Sequence, residues 1–174
     1  MNDIIFVRVA HSLEDEFGYL SKFGSVEISS GICWLAAVAR KNNYRTAIID
    51  ALPLNLDNDR VAGLIREKGA KCVGISACTM DIYASADLAA KIKKIIPDTV
   101  IIIGGPHVTA APEETMEKFP DFDIGVLGEG EGTIIDILDS MEKRTAKRLD
   151  GIDGIIYAFE IAFDSQRFRY NIYQ

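Results

Sequence analysis

The chain has 174 residues, of which 48% are apolar and 26% charged, the balance of one soluble globular domain. Its 19 basic and 26 acidic side chains leave a net charge of −7, which argues against a protein that grips nucleic acid through phosphates. Apolar runs such as residues 100–103 are far too short to span a bilayer, and the opening Met1-Asn2-Asp3-Ile4 lacks the basic-then-apolar pattern of a signal peptide, so a cytoplasmic protein without membrane partners is expected.

Residues 4–9 are rich in Ile and Val and predict a first strand. Residues 10–30, with Gly18, Gly24 and several serines, predict a connection long enough to be functional or mobile. Residues 31–41 predict a helix with Ile32, Leu35, Ala36 and Ala39 on one face, and 45–50 a second strand. A helix over 59–68 ends at Gly69, and a third strand covers 72–76. Residues 81–96 carry a stripe of Ile82, Ala86, Ala89, Ile92 and Ile96, and Pro97 stops that helix. A fourth strand, 100–103, runs into Gly104-Gly105-Pro106, and a short helix follows at 113–118. Residues 124–127 predict a fifth strand, after which Gly128-Glu129-Gly130-Glu131 opens a helix to about Lys143. Residues 154–159 and 167–173 predict a C-terminal β-hairpin about Asp164-Ser165. Apolar strands alternating with helices imply an α/β domain, a parallel sheet with helices on both faces. Such sheets bind ligands at the carboxyl ends of their strands, which points to the loops after Val9, Ser76, Ile103 and Leu127.

The residues of these loops permit more than one role. Gly74, Ser76 and Thr79 suit contact with a flat or phosphate-bearing ligand, and Thr79 equally suits capping of the next helix. Gly104-Gly105 lets a ligand approach the backbone or simply makes a tight turn. If Gly105 serves approach, Gly105→Val should block binding and spare the fold. His107 fits loop packing, a hydrogen bond to ligand or metal ligation; a metal site shared with His11 would need the first and fourth strand ends to converge. The segment from Gly128 to Thr133 lacks the Lys of a phosphate loop and the spacing of a dinucleotide fingerprint, and its glutamates suit a helix N-terminus. Lys143, Arg144, Lys147 and Arg148 read as a solvated helix end. Cys33, Cys72 and Cys78 form no Cys-x-x-Cys and read as reduced thiols, so neither a metal nor an iron–sulfur site is expected in this chain.

Taken in order, these motifs resemble one family. Ser30-Gly31-Ile32 with Leu35-Ala36-Ala37, then Val73-Gly74-Ile75-Ser76 with Thr79, then Ile103-Gly104-Gly105-Pro106-His107-Val108-Thr109, then Gly128-Glu129-Gly130-Glu131 are similar to the N-terminal cobalamin-binding domain of B12-dependent radical S-adenosylmethionine proteins. That family includes methyltransferases and the anaerobic magnesium-protoporphyrin monomethyl ester cyclase. The resemblance implies a flavodoxin-like (Rossmann-like) fold, a cobalamin-binding domain over 1–160, and a hairpin or linker over 161–174 toward a radical S-adenosylmethionine domain absent from this chain. It implies cobalamin as cofactor, held by Ser76, Thr79, Gly104, Gly105, Pro106, His107, Gly128 and Glu129, with a [4Fe–4S] cluster and S-adenosylmethionine in the full-length protein. No catalytic residue is implied here. Neither histidine stands in the Asp-x-His-x-x-Gly pattern that supplies an imidazole to cobalt in mutase-type domains, and the Cys-x-x-x-Cys-x-x-Cys of the radical half is missing. A free-standing corrinoid carrier or regulatory module, and a flavodoxin-like domain with another ligand or none, stay open at this level.

Overall fold

The computed structural model describes residues 1–10, 28–142, 149–161 and 164–171. His11, most of the long connection 10–30 and the basic cluster Lys143, Arg144, Lys147 and Arg148 lie outside them. The described elements are β1 (Asn2–Arg8), α1 (Ser30–Lys41), β2 (Thr46–Asp50), α2 (Asn58–Lys68), β3 (Ala70–Ser76), α3 (Ile82–Ile95), β4 (Val100–Gly104), α4 (Pro106–Ala110), α5 (Pro112–Lys118), β5 (Ile124–Val126), α6 (Glu131–Glu142), β6 (Ile155–Ile161) and β7 (Asp164–Asn171).

One seven-stranded sheet runs in the order β2-β1-β3-β4-β5-β6-β7. The first five strands are parallel, and β6 and β7 extend the sheet antiparallel. This is the flavodoxin-like order, with its reversal between β1 and β3. Alternation along each strand sorts the core into two layers. Ile5, Val7, Val73, Ile75, Ile101 and Ile103 face α2, α3 and α5, meeting Val61, Ile65, Leu88, Ile92 and Met116. Ile4, Phe6, Cys72, Ile102 and Val126 face α1 and α6, meeting Ile32, Ala36, Ile134 and Ile137.

Local chemistry accounts for the helix ends. Asp57 accepts the Arg60 N–H at 2.8 Å and starts α2, and Gly69, at φ 64°, ends it. Two expectations need correcting. Residues 106–110 are helical rather than loop, because Pro106 takes the first helical position behind Gly105, where its missing N–H costs nothing. The hairpin is present, but Ile161 pairs with Asp164, so Asp164-Ser165 belong to β7 and not to the turn. A register irregularity between Phe159 and Ile161 shifts the pairing, which turn propensity does not report.

Candidate functional site

The carboxyl ends of β3, β4 and β5 converge beneath the first turns of α1 and α6. On the face toward those helices the register sets Phe6, Gly74, Ile102 and Ile124 in one row across the sheet. The next row outward brings Ser76 beside Gly104. At β3 and β4 the sheet's outer end therefore carries little side-chain bulk on this face, and a cleft of about 180 Å³ opens there. Its walls come from Ile32, Trp34 and Leu35 of α1, Val126 of β5, and residues 128–131 and Ile134 at the head of α6.

The glycines of this floor do different work. A Cβ at Gly104 would stand 3.7 Å from Val126 Cβ, an ordinary contact, so the missing side chain keeps cleft space open and is no packing necessity. A Cβ at Gly74 would come within 3.0 Å of Phe6 Cδ1, so glycine there lets the Phe6 ring lie across β3. Gly105 lines the cleft as well, and its conformation alone requires glycine. Its φ is +102°, and a Cβ would meet the carbonyl oxygen of Ala77 at 2.7 Å and Ser76 Oγ at 3.2 Å. Its role is to close a tight junction between two loops.

That junction is held by hydrogen bonds. Ala77 N–H donates to the Gly104 carbonyl at 2.9 Å, and His107 N–H donates to the Ala77 carbonyl at 3.3 Å. Thr109 Oγ1 donates to the Gly105 carbonyl at 3.1 Å and accepts from Gly128 N–H at 3.0 Å. One hydroxyl thus joins the loop after β4 to the loop after β5, the two loops that frame the cleft. Thr79 does not cap α3; its hydroxyl lies 3.2 Å from Nδ1 of His107.

Of the residues singled out in the sequence, Ser76, Gly104, Gly105, Gly128 and Glu129 line one cleft. Thr79, Pro106 and His107 do not line it; Thr79, on the loop after β3, meets His107 in α4, whose first residue is Pro106. Sequence reasoning missed Phe6, Trp34, Ile102, Val126 and the bridging Thr109. The one available signal was strand parity, since Phe6, Gly74, Ile102 and Val126 fall on the same face as Ser76.

Cys72 and Cys78 are held as neutral thiols at neutral pH. Burial, then the charge of Asp3, pushes Cys72 up to about 12, and burial, then Asp81, pushes Cys78 upward. Among the described residues, no three His, Cys, Asp or Glu side chains converge as a metal site. Among them, too, no helix is long and apolar enough to cross a membrane.

The fold and the cleft define a class: a flavodoxin-like α/β domain with a cleft at the carboxyl ends of its parallel strands. Residues 18–138, more than half of the chain, match the B12 binding domain family, and the chain belongs to that family. It is 35% identical over 127 residues to an uncharacterized methyltransferase of Pyrococcus horikoshii, covering 73% of this chain and 27% of the relative. It is 25% identical over 131 residues to the anaerobic magnesium-protoporphyrin IX monomethyl ester cyclase of Cereibacter sphaeroides, covering 71% of this chain and 21% of the relative. The chain thus spans about a quarter of the length of these curated relatives. Among solved structures, OxsB, a cobalamin-dependent S-adenosylmethionine radical enzyme with aqua-cobalamin and S-adenosylmethionine bound, superposes at a TM-score of 0.78 with 18% identity, over 100% of this chain and 22% of that one. At that identity the likeness is one of fold.

The cleft fits part of a corrinoid. It is apolar within and floored by Gly74 and Gly104, and its volume is on the scale of a heterocyclic base. It is too small to enclose the macrocycle as well.

Proposed function

We propose that this chain is the cobalamin-holding part of a B12-dependent radical S-adenosylmethionine enzyme, and that the cleft receives the dimethylbenzimidazole base of the cofactor. The observation that carries the proposal is the pairing of Ser76 with Gly104, which leaves the outer row of the sheet open on the face of α1 and α6. Ser76, Gly104, Gly128 and Glu129 would hold the base and its nucleotide. Thr79, Pro106 and His107, outside the cleft on the loop after β3 and at the start of α4, would meet the part of the cofactor that does not enter. Gly105 supports the site by holding the loops of Ala77 and His107 together. When bound, the cobalt supplies methyl-transfer or related radical chemistry, and the protein contributes position and surroundings.

A base held in this cleft is not free to ligate cobalt, and no Asp-x-His-x-x-Gly histidine stands ready to replace it. Electron paramagnetic resonance of the chain loaded with cob(II)alamin tests the proposal. The expected spectrum has no nitrogen superhyperfine splitting from an axial base. Splitting from such a nitrogen, or failure of the chain to bind cobalamin, would overturn it. Residues 161–174 would lead toward the radical S-adenosylmethionine domain, which brings the [4Fe–4S] cluster and S-adenosylmethionine. Sequencing the parent reading frame for a following Cys-x-x-x-Cys-x-x-Cys segment checks that connection.

A further inference from the structure

The interior of the cleft is unequal in polarity. Phe6, Ile32, Ile102, Val126 and Ile134 form its inner wall, each buried. The polar side chains of the lining are Ser76, partly buried, the exposed Trp34 with its indole N–H, and the carboxylates Glu129 and Glu131 at the head of α6, of which Glu129 is exposed; none of them belongs to the inner wall. Several backbone groups of the surrounding loops are already engaged. The Gly104 carbonyl accepts from Ala77 N–H, the Gly130 carbonyl from Ile134 N–H at 2.8 Å, and the Gly105 carbonyl from Thr109 through both its N–H, at 3.2 Å, and its hydroxyl. Gly128 N–H is directed at Thr109 Oγ1. A flat ring entering the cleft therefore meets hydrocarbon on its inner edge.

We propose that this cleft selects among corrinoids by their lower base, admitting an apolar benzimidazole and discriminating against adenine. The inference rests on the cobalamin reading above and adds to it the chemical class of base that the walls accept. The two methyl groups and benzo ring of dimethylbenzimidazole gain contact with Phe6, Ile102 and Val126. Adenine carries ring nitrogens and an exocyclic amine along the corresponding edge. The inner wall offers these no side-chain donor or acceptor, and a buried polar group left unpaired weakens binding roughly ten- to hundredfold.

Equilibrium dialysis of the 174-residue chain against three probes tests this. These are hydroxocobalamin, its analogue with adenine in place of dimethylbenzimidazole, and cobinamide, which has no nucleotide. The expected result is tightest binding of hydroxocobalamin, with the adenine analogue at least roughly tenfold weaker and cobinamide weaker than hydroxocobalamin. An adenine analogue less than about tenfold weaker overturns the selectivity while leaving the cofactor reading intact. Cobinamide binding as tightly as hydroxocobalamin also overturns it, because the base would then make no use of the cleft. Failure of all three to bind overturns the cofactor reading and the selectivity together.

Discussion

Gly104 and Gly105 are adjacent in the chain and opposite in function. At Gly104 a valine side chain points into free cleft space, in a strand that favours β-branched residues. Gly104→Val is expected to weaken cobalamin binding about a hundredfold and to change unfolding free energy by less than about 1 kcal/mol. At Gly105 the positive φ and the Ala77 carbonyl oppose any side chain. Gly105→Val is expected to cost about 2 kcal/mol or more of stability, and a thermal melt beside a binding titration separates the two variants. Thr109 gives a third test at this scale. Thr109→Val removes the hydroxyl that joins Gly105 to Gly128, at about 1 kcal/mol of stability and with weaker cobalamin binding. Thr109→Ser retains the hydroxyl and should restore both.

Single elements are fixed from the opposite end of the sheet. Asp3 on β1 accepts from the backbone N–H of Arg45 at 2.9 Å and from the Arg45 guanidinium at 3.1 Å, and pairs with Lys71 Nζ on β3 at 2.8 Å. It thereby ties β1 to the start of β2 and to β3. The Arg45 guanidinium, with help from Lys71, holds its carboxyl well below the usual carboxylate range despite burial. A depressed carboxylate contributes stability above its unfolded pKa, near 4, and that contribution is lost as pH falls through the folded value. Stability should therefore decline below about pH 4, and Asp3→Asn should flatten this part of the profile. The same variant is expected to lose about 1–2 kcal/mol at neutral pH. That figure is modest because Arg45 is largely and Lys71 partly open to solvent, where charge is screened. Urea melts of both proteins across the acid range measure the difference. On the same side Tyr44 donates to Asp139, joining the segment between α1 and β2 to α6. The two helices that wall the cleft are thus tied together far from it.

At the scale of the whole molecule, the 174-residue chain should hold a cofactor without completing a reaction. Cys33 lies on α1, Cys72 is buried on β3 and Cys78 lies on the loop after it, so three thiolates do not meet at one cluster. Reconstitution with iron and sulfide under reducing conditions is expected to yield no stable cluster and no cleavage of S-adenosylmethionine. A cluster that cleaves it would mean that this chain carries catalytic ligands of its own.

The parallel sheet, its helices and its terminal hairpin were legible before any coordinates, because strand and helix periodicity and the stops at Gly69 and Pro97 are local properties. So was the side of the sheet to inspect, since Ser76, Gly104 and Gly128 stand at strand ends. The residues that complete the cleft were not legible. Phe6, Ile102 and Val126 look like ordinary core residues, and Trp34 like a surface one, until the register of four parallel strands and the packing of α1 set them around Gly74 and Gly104. The distinction between Gly104 and Gly105 depends on Val126 and Ala77, both more than 20 residues away in sequence. The bridge of Thr109 to Gly128 and the pairing of Thr79 with His107 are likewise contacts between separate βα units. Local pattern specifies which elements form and where their loops emerge. The shape of the cleft, and which of its glycines leave space open and which close a junction, follows from packing between segments that local pattern does not relate.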